Sequence, residues 1–157
     1  MGLRGKILIA CIGNPLMGDD GAGVAVARIL RKKNLPPSAH LLEGEIDGLT
    51  LLERIEGYDR VIIVDAAEMG LKPGEWRAFD AAMDLLKINF GPSAHQFGVG
   101  EALILAKKLN LYLPPIKVYA IQPKRIEFTS KLQLTGPTAK AVRAVAQALL
   151  QELFSQP

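Results

Sequence analysis

Four side chains in this chain combine a reactive group with a position where chemistry could occur. Asp19 and Asp20 follow a glycine-bounded turn in the stretch Gly13-Asn14-Pro15-Leu16-Met17-Gly18-Asp19-Asp20-Gly21. Asp65 closes the apolar run VIIVD, and His95 lies in the polar stretch PSAHQ. One imidazole and two carboxylates drawn from three separate loops form a plausible ligand set for a divalent metal, and nitrogen and oxygen donors suit nickel or zinc. Three ligands leave coordination positions open, as sites that do chemistry do and structural sites usually do not. Such a metal can polarise a carbonyl or lower the pKa of a bound water. Asp20 or Asp65 could equally serve as general base on that water.

Each feature taken singly also has an ordinary use. Asp19 and Asp20 fit a helix cap and a first-turn acid, and His95 fits a surface or cap position. His40 stands between a proline break and a strand and is assigned no role. Cys11 sits inside an apolar strand with no activating neighbour, as a core thiol does. Nothing arranges Ser, His and Asp or Cys and His for a covalent route. The turn before the first helix lacks the G-x-G-x-x-G spacing and the Walker lysine, and its two acids would repel a phosphate, so nucleotide binding is not expected.

Positioning these groups requires a sheet. KILIACI (6–12) reads as a buried parallel strand stopped by Gly-Asn-Pro. The spacing of Ala22, Val26, Ile29 and Leu30 predicts a first helix over 20–31, and Pro36 and Pro37 end that region. Residues 39–43 predict a second strand, 49–55 a short helix, 60–66 a central strand ending near Asp65, and 76–79 a short edge strand. Residues 81–92 have no clear period and read as loop with partial helix. Val99, Ala102, Leu103, Ala106 and Leu109 share one helical face from Gly98 onward, 116–121 gives another strand, and a terminal helix runs on from Thr135 with Pro137 near its start. Strands and helices alternating in this way imply right-handed crossovers. The expected fold is a three-layer α/β/α arrangement, a mostly parallel twisted sheet of about five strands with helices on both faces. In such sheets ligands bind beyond the carboxyl ends of the strands, where Asp20 and Asp65 would meet if their strands are neighbours.

At 157 residues, 49% of them hydrophobic, the chain fits one domain over 1–157, and a domain of this size buries roughly 68–70% of its unfolded surface without staples. The single cysteine excludes an internal disulfide or a cysteine-cluster metal site within one chain. Nineteen Lys and Arg against sixteen Asp and Glu give a formal charge of +3. The basic residues are scattered over element ends, so no nucleic-acid footprint is expected. No apolar run approaches the ~20 residues that span a bilayer, and the first residues lead into a strand instead of a signal peptide, so membrane insertion and export are not expected. The chain is expected to be cytoplasmic.

Several blocks, in order over nearly the whole chain, carry a resemblance. GNPLMGDDGAGV between Ile12 and Ala25, VDAAEMGLKPGEWRAFD from Val64 to Asp80, SAHQ around His95 and AIQPKRIE from Ala120 to Glu127 resemble the nickel–iron hydrogenase maturation endopeptidases. Within that family the DAAEMGLKPGE block looks closest to the endopeptidase of hydrogenase 3, the formate hydrogenlyase enzyme. The resemblance implies an aspartic-type hydrolase that removes a carboxyl-terminal extension from the hydrogenase large-subunit precursor once nickel is inserted. The partner is then that precursor; nickel travels with the substrate and no organic cofactor is needed. The chain is expected to act as a monomer. The family's nickel-contacting residues fall on Asp20, where some relatives carry glutamate, on Asp65 and on His95, with Asp20 and Asp65 also the catalytic candidates. The loop 43–49 resembles a family glycine segment beside the cleft, its Gly-Gly-Thr character altered here. Two alternatives stay open. One is a non-catalytic module that binds the nickel-loaded precursor; the other, suggested by the GNP turn, is a peptidyl-tRNA hydrolase-like esterase, although that family's Tyr and His–Asn pair are missing.

Overall fold

The computed structural model describes residues 5–81, 89–90 and 98–155. Strand β1 (Ile7–Ile12) is buried at every position, as an apolar run covered on both faces must be. It pairs in parallel with β2 (Ala39–Gly44) on one side and with β3 (Arg60–Glu68) on the other. Beyond β3 lies β6 (Ile116–Ile121), also parallel, and then the edge strand β4 (Trp76–Asp80), which runs antiparallel to β6. The order is β2-β1-β3-β6-β4, and a two-residue strand β5 (Asn89–Phe90) pairs antiparallel with the end of β3. The mostly parallel sheet agrees with the sequence reading, which left the direction of the edge strand open.

Strand alternation divides the core into two layers. Ile7, Ile9, Cys11, Ile62, Val64 and Ile121 pack under helix α1 (Ala22–Arg31) and the terminal helix α4 (Gly136–Ser155), through Val26, Leu30, Val142, Val145 and Leu149. Leu8, Ala10, Val61, Ile63, Val118 and Ala120 face α2 (Gly48–Ile55) and α3 (Val99–Lys108), through Leu51, Ile55, Val99 and Leu103. Helix α1 lies so close to the sheet that a Cβ on Gly23 would stand 2.4 Å from the Ile12 carbonyl oxygen and 2.7 Å from that of Val64. Only glycine permits that approach.

The element limits refine three expectations. The first helix does not begin at Asp20: a 3-10 turn over Gly18–Gly21 comes first, and α1 starts at Ala22. Strand β3 continues past Asp65 to Glu68, because its last residues find a partner in β5. Most of the expected irregular segment 81–92 lies outside the described residues.

Candidate functional site

Chain order fixes where a site can form. From β1 the chain steps outward to β2 and then returns to the other side of β1 as β3, so the winding direction reverses between β1 and β3. At such a switch point the loops leaving the two strands part in opposite directions and leave a crevice at the carboxyl rim. Asp65 stands there on β3, in register with Ala120 of β6 and one step beyond the Cys11–Val64 pair. By strand alternation it shares the face of Val61, Ile63 and Ala67, the layer that holds α2 and α3.

Asp20 reaches the same place by a tight turn. Asn14 to Met17 closes on a 3.1 Å bond from the Met17 amide to the Asn14 carbonyl, with Pro15 at the position that favours such turns. The Asn14 side chain accepts from the Leu16 amide at 2.9 Å. The Asn14 amide in turn donates to Asp20 Oδ2 at 2.9 Å, so the turn grips the carboxylate it presents. Gly13 adopts φ +149°, and a Cβ there would fall 2.0 Å from the Asp20 carbonyl oxygen. Its amide donates to Gly44 O at 3.0 Å, which ties the loop after β1 to the end of β2.

Both carboxylates are buried, at 6% exposure for Asp20 and 4% for Asp65. Burial pushes the Asp65 carboxyl well above the ordinary carboxylate range, the neighbouring Asp20 charge adds to the rise, and a hydrogen bond from the Ala66 backbone opposes it. Burial likewise raises Asp20, the bond from Asn14 opposes it, and the charge of Glu45 adds to it. Glu45, exposed in the loop after β2, is thus a third acid whose charge reaches Asp20, and the sequence reading gave it no individual role. Two buried acids that feel each other's charge favour the arrival of a cation or a proton.

Asp19 does something else. Its carboxylate is fully buried and accepts from the amides of Lys124 at 2.8 Å, Arg125 at 3.1 Å and Thr135 at 2.8 Å, and from the Thr135 hydroxyl at 2.7 Å. The Asp19 amide donates to Arg125 O at 2.9 Å. Neither acid is a cap: Met17 and Gly21 occupy the N-cap positions of the 3-10 turn and of α1, without side-chain capping bonds. Both acids do lie in the first turn of the 3-10 helix, but beyond that they have two different duties, Asp20 at the carboxyl rim and Asp19 clamping a loop that follows β6.

Gln122, at the start of that loop, is nearly as buried. Its carbonyl oxygen accepts from the Met69 amide at 2.8 Å and the Leu71 amide at 3.3 Å, while its amide group donates to Glu68 Oε2 at 2.9 Å. It holds the chain leaving β3 against the chain leaving β6. The IQP block carried that signal in the sequence, but its partners did not follow from it.

The remaining expectations divide. Cys11 is fully buried and its thiol is pushed far up by burial, as a core thiol should be. His40 Nδ1 lies 2.8 Å from the Tyr58 hydroxyl, away from the site. Asp47, in the altered glycine loop, caps α2 by accepting from the Thr50 amide at 2.8 Å. His95 lies outside the described residues, and among the described residues no three His, Cys, Asp or Glu side chains group as a metal site. Among the same residues no helix is long and apolar enough to cross a membrane.

Fold and site define a doubly wound α/β protein with an acidic, glycine-walled site at its switch point. Comparison with known proteins narrows this. The sequence model of the HycI family, hydrogenase maturation protease, matches residues 24–152. The chain belongs to the hydrogenase maturation protease family, a family of peptidases. It is 32% identical over 118 residues to the hydrogenase expression/formation protein HoxM of Cupriavidus necator, covering 74% of this chain but only 58% of HoxM. It is 31% identical over 156 residues to a putative hydrogenase maturation protease of Methanocaldococcus jannaschii, covering 94% of this chain and 96% of that one. The solved structure of the endopeptidase HycI from Escherichia coli superposes with a TM-score of 0.68 at 27% identity, covering 94% and 91% of the two chains. These matches set aside the peptidyl-tRNA hydrolase-like alternative.

Proposed function

We propose that this chain is an endopeptidase that shortens the large-subunit precursor of a nickel–iron hydrogenase at its carboxyl terminus, and that it recognises the precursor by the nickel the precursor carries. The observation that carries this reading is the buried acid pair: Asp20 and Asp65, both with raised pKa, at the switch-point crevice of a hydrogenase maturation protease. A carboxyl pair kept from water, with both pKa values raised, disfavours two bare charges in the absence of a cation. It is well suited to lose its proton when a cation arrives with the substrate.

In this reading Asp20 and Asp65 bind the substrate's nickel through oxygen, with His95 as the nitrogen donor, and no nickel stays with the enzyme between turnovers. Bound there, nickel would act as a Lewis acid toward a carbonyl or a water. The Asn14 amide holds Asp20 Oδ2, and either carboxylate can take the proton of the attacking water. The turn over 14–17 and the bond between Gly13 and Gly44 fix the loop that presents Asp20. We assign the protein to the cytoplasm, where the precursor is made, and treat it as a monomer.

A purified nickel-loaded precursor, incubated with the protein and followed by mass spectrometry, is expected to lose a defined carboxyl-terminal fragment. A complex that forms and persists with the precursor intact would favour a binding module instead.

A further inference from the structure

Strand β3 leaves its ladders close to the residue that carries its acid. Pairing with β1 ends at Cys11 and Val64, so Asp65 is the first residue of β3 beyond that ladder, and pairing with β6 ends at Ala66 and Ile121. Among the described residues only β5 continues the pairing, through Ala67 and Glu68. The ends of elements are where local opening costs least, so an acid placed there is held only as well as the residues that follow it.

Gln122 secures those residues. It follows Ile121 directly, and by alternation it lies on the face shared by Ala120 and Asp65. Its backbone is committed to the approach to β4: the Gly74 amide donates to its carbonyl at 3.0 Å, and its own amide donates to Glu75 O at 2.9 Å. Its side chain binds the beginning of the same segment, accepting from the amides of Met69 at 2.8 Å and Leu71 at 3.3 Å and donating to Glu68 Oε2 at 2.9 Å. Glu68 Oε1 accepts in turn from the Gly70 amide at 3.2 Å. One residue, 3% exposed, therefore fastens both ends of the segment from Glu68 to Glu75 that joins β3 to the edge strand. A buried network with every member satisfied fixes one arrangement, where apolar packing would tolerate several.

We infer that Gln122 is a positioning residue for the Asp65 carboxylate: by gripping the turn from Glu68 to Leu71 it holds the end of β3 in the direction in which the acid meets the substrate. The inference rests on the endopeptidase reading above. Gln122 acts through the backbone between Glu68 and Asp65 and not by contact with the reacting atoms. Displacement of a reacting group by about 1 Å can cost on the order of a hundredfold in rate, so a tie of this kind bears on turnover more than on binding.

Two substitutions separate hydrogen bonding from shape. Gln122→Glu keeps an acceptor for Met69 and Leu71 but sets two carboxylates face to face. The exchange E68Q/Q122E restores a donor opposite an acceptor and gives up only the 3.3 Å bond to Pro123 O. In steady-state processing of the nickel-loaded precursor, Gln122→Glu and Gln122→Leu are expected to lower kcat by about tenfold to a hundredfold, with KM within about twofold of the wild type. E68Q/Q122E should recover most of the lost kcat. Hydrogen exchange at the Met69 and Leu71 amides should quicken in both single variants and slow again in the exchange. The isosteric Gln122→Glu keeps the comparison available if Gln122→Leu does not fold. The inference is overturned by wild-type kcat in a folded single variant, or by a rise in KM alone. It is equally overturned if the exchange restores amide protection while kcat stays low, which would make Gln122 a structural tie without bearing on Asp65. If the wild type itself leaves the precursor uncut in the same assay, the endopeptidase reading fails and this inference with it.

Discussion

Asp65→Asn is expected to give a folded protein that melts higher than the wild type at neutral pH and leaves the precursor uncut. The two effects have one cause. In the folded wild type the Asp65 carboxyl has its pKa raised well above the usual value, by burial first and by Asp20 second. Folded protein therefore holds this proton more tightly than the unfolded chain does. Stability falls as pH rises from the ordinary carboxylate range through the folded pKa, and above that pKa the penalty is complete. Asparagine matches the shape and carries no charge, so the penalty disappears. A gain of roughly 2–4 °C in Tm is expected at neutral pH, about 1 kcal/mol for a chain of this length. Thermal unfolding between about pH 4 and 8, a range that covers the shifts of one unit and more typical of buried acids, should show the gain shrinking toward the acid end. Processing should fall by about 10³-fold or more, the scale on which a lost acid–base group acts. Asp20→Asn and His95→Ala should also abolish processing and leave the protein folded. Wild-type processing by all three variants would contradict the assigned roles.

The second large effect is on stability and concerns Asp19. Burial opposes ionisation of this carboxyl, but the bonds from the Thr135 hydroxyl and amide and from the amides of Lys124 and Arg125 together outweigh it and hold the pKa below the usual value. Asp19→Ala leaves three amides and a hydroxyl without their partner. A cost of about 3–5 kcal/mol is expected, because each buried donor left unpaired costs on the order of 1–3 kcal/mol and some will find water. Chemical denaturation at neutral pH measures it as a shift in midpoint with an unchanged slope. The stabilisation is present above the unfolded pKa and is lost as pH falls through the lower, folded one. The gap between wild type and variant should therefore narrow in acid, as it does for Asp65→Asn, although the two substitutions change stability in opposite directions. Equal midpoints at neutral pH would mean that the clamp contributes nothing.

The strands were legible because parallel strands buried on both faces leave continuous apolar runs, and KILIACI and VIIVD are such runs. Given the strands, the carboxyl rim followed, but a meeting of Asp20 and Asp65 there required their strands to be neighbours, which the pairing of β1 with β3 supplies. The division of labour between Asp19 and Asp20 did not follow. Local rules make the two acids look like a cap and a first-turn acid, whereas Asp19 finds its partners more than a hundred residues away. The resemblance put the loop 43–49 beside the cleft, but the influence of Glu45 on Asp20 could not be read from it, since that depends on β2 lying beside β1. The resemblance of the GNPLMGDDG and IQP blocks supplied what physics alone did not, a reaction for the acids to perform. Both blocks turn out to be held by their own backbones and by each other, Asn14 by its turn and Gln122 by the amides of Met69 and Leu71.

The central claim is that the acid pair reads a cation brought by the substrate. The most direct measurement is a side-by-side incubation of the wild-type protein with nickel-loaded and nickel-free precursor, scored for fragment release by mass spectrometry. Release from the loaded precursor alone is the predicted result. Equal release from both would contradict the claim.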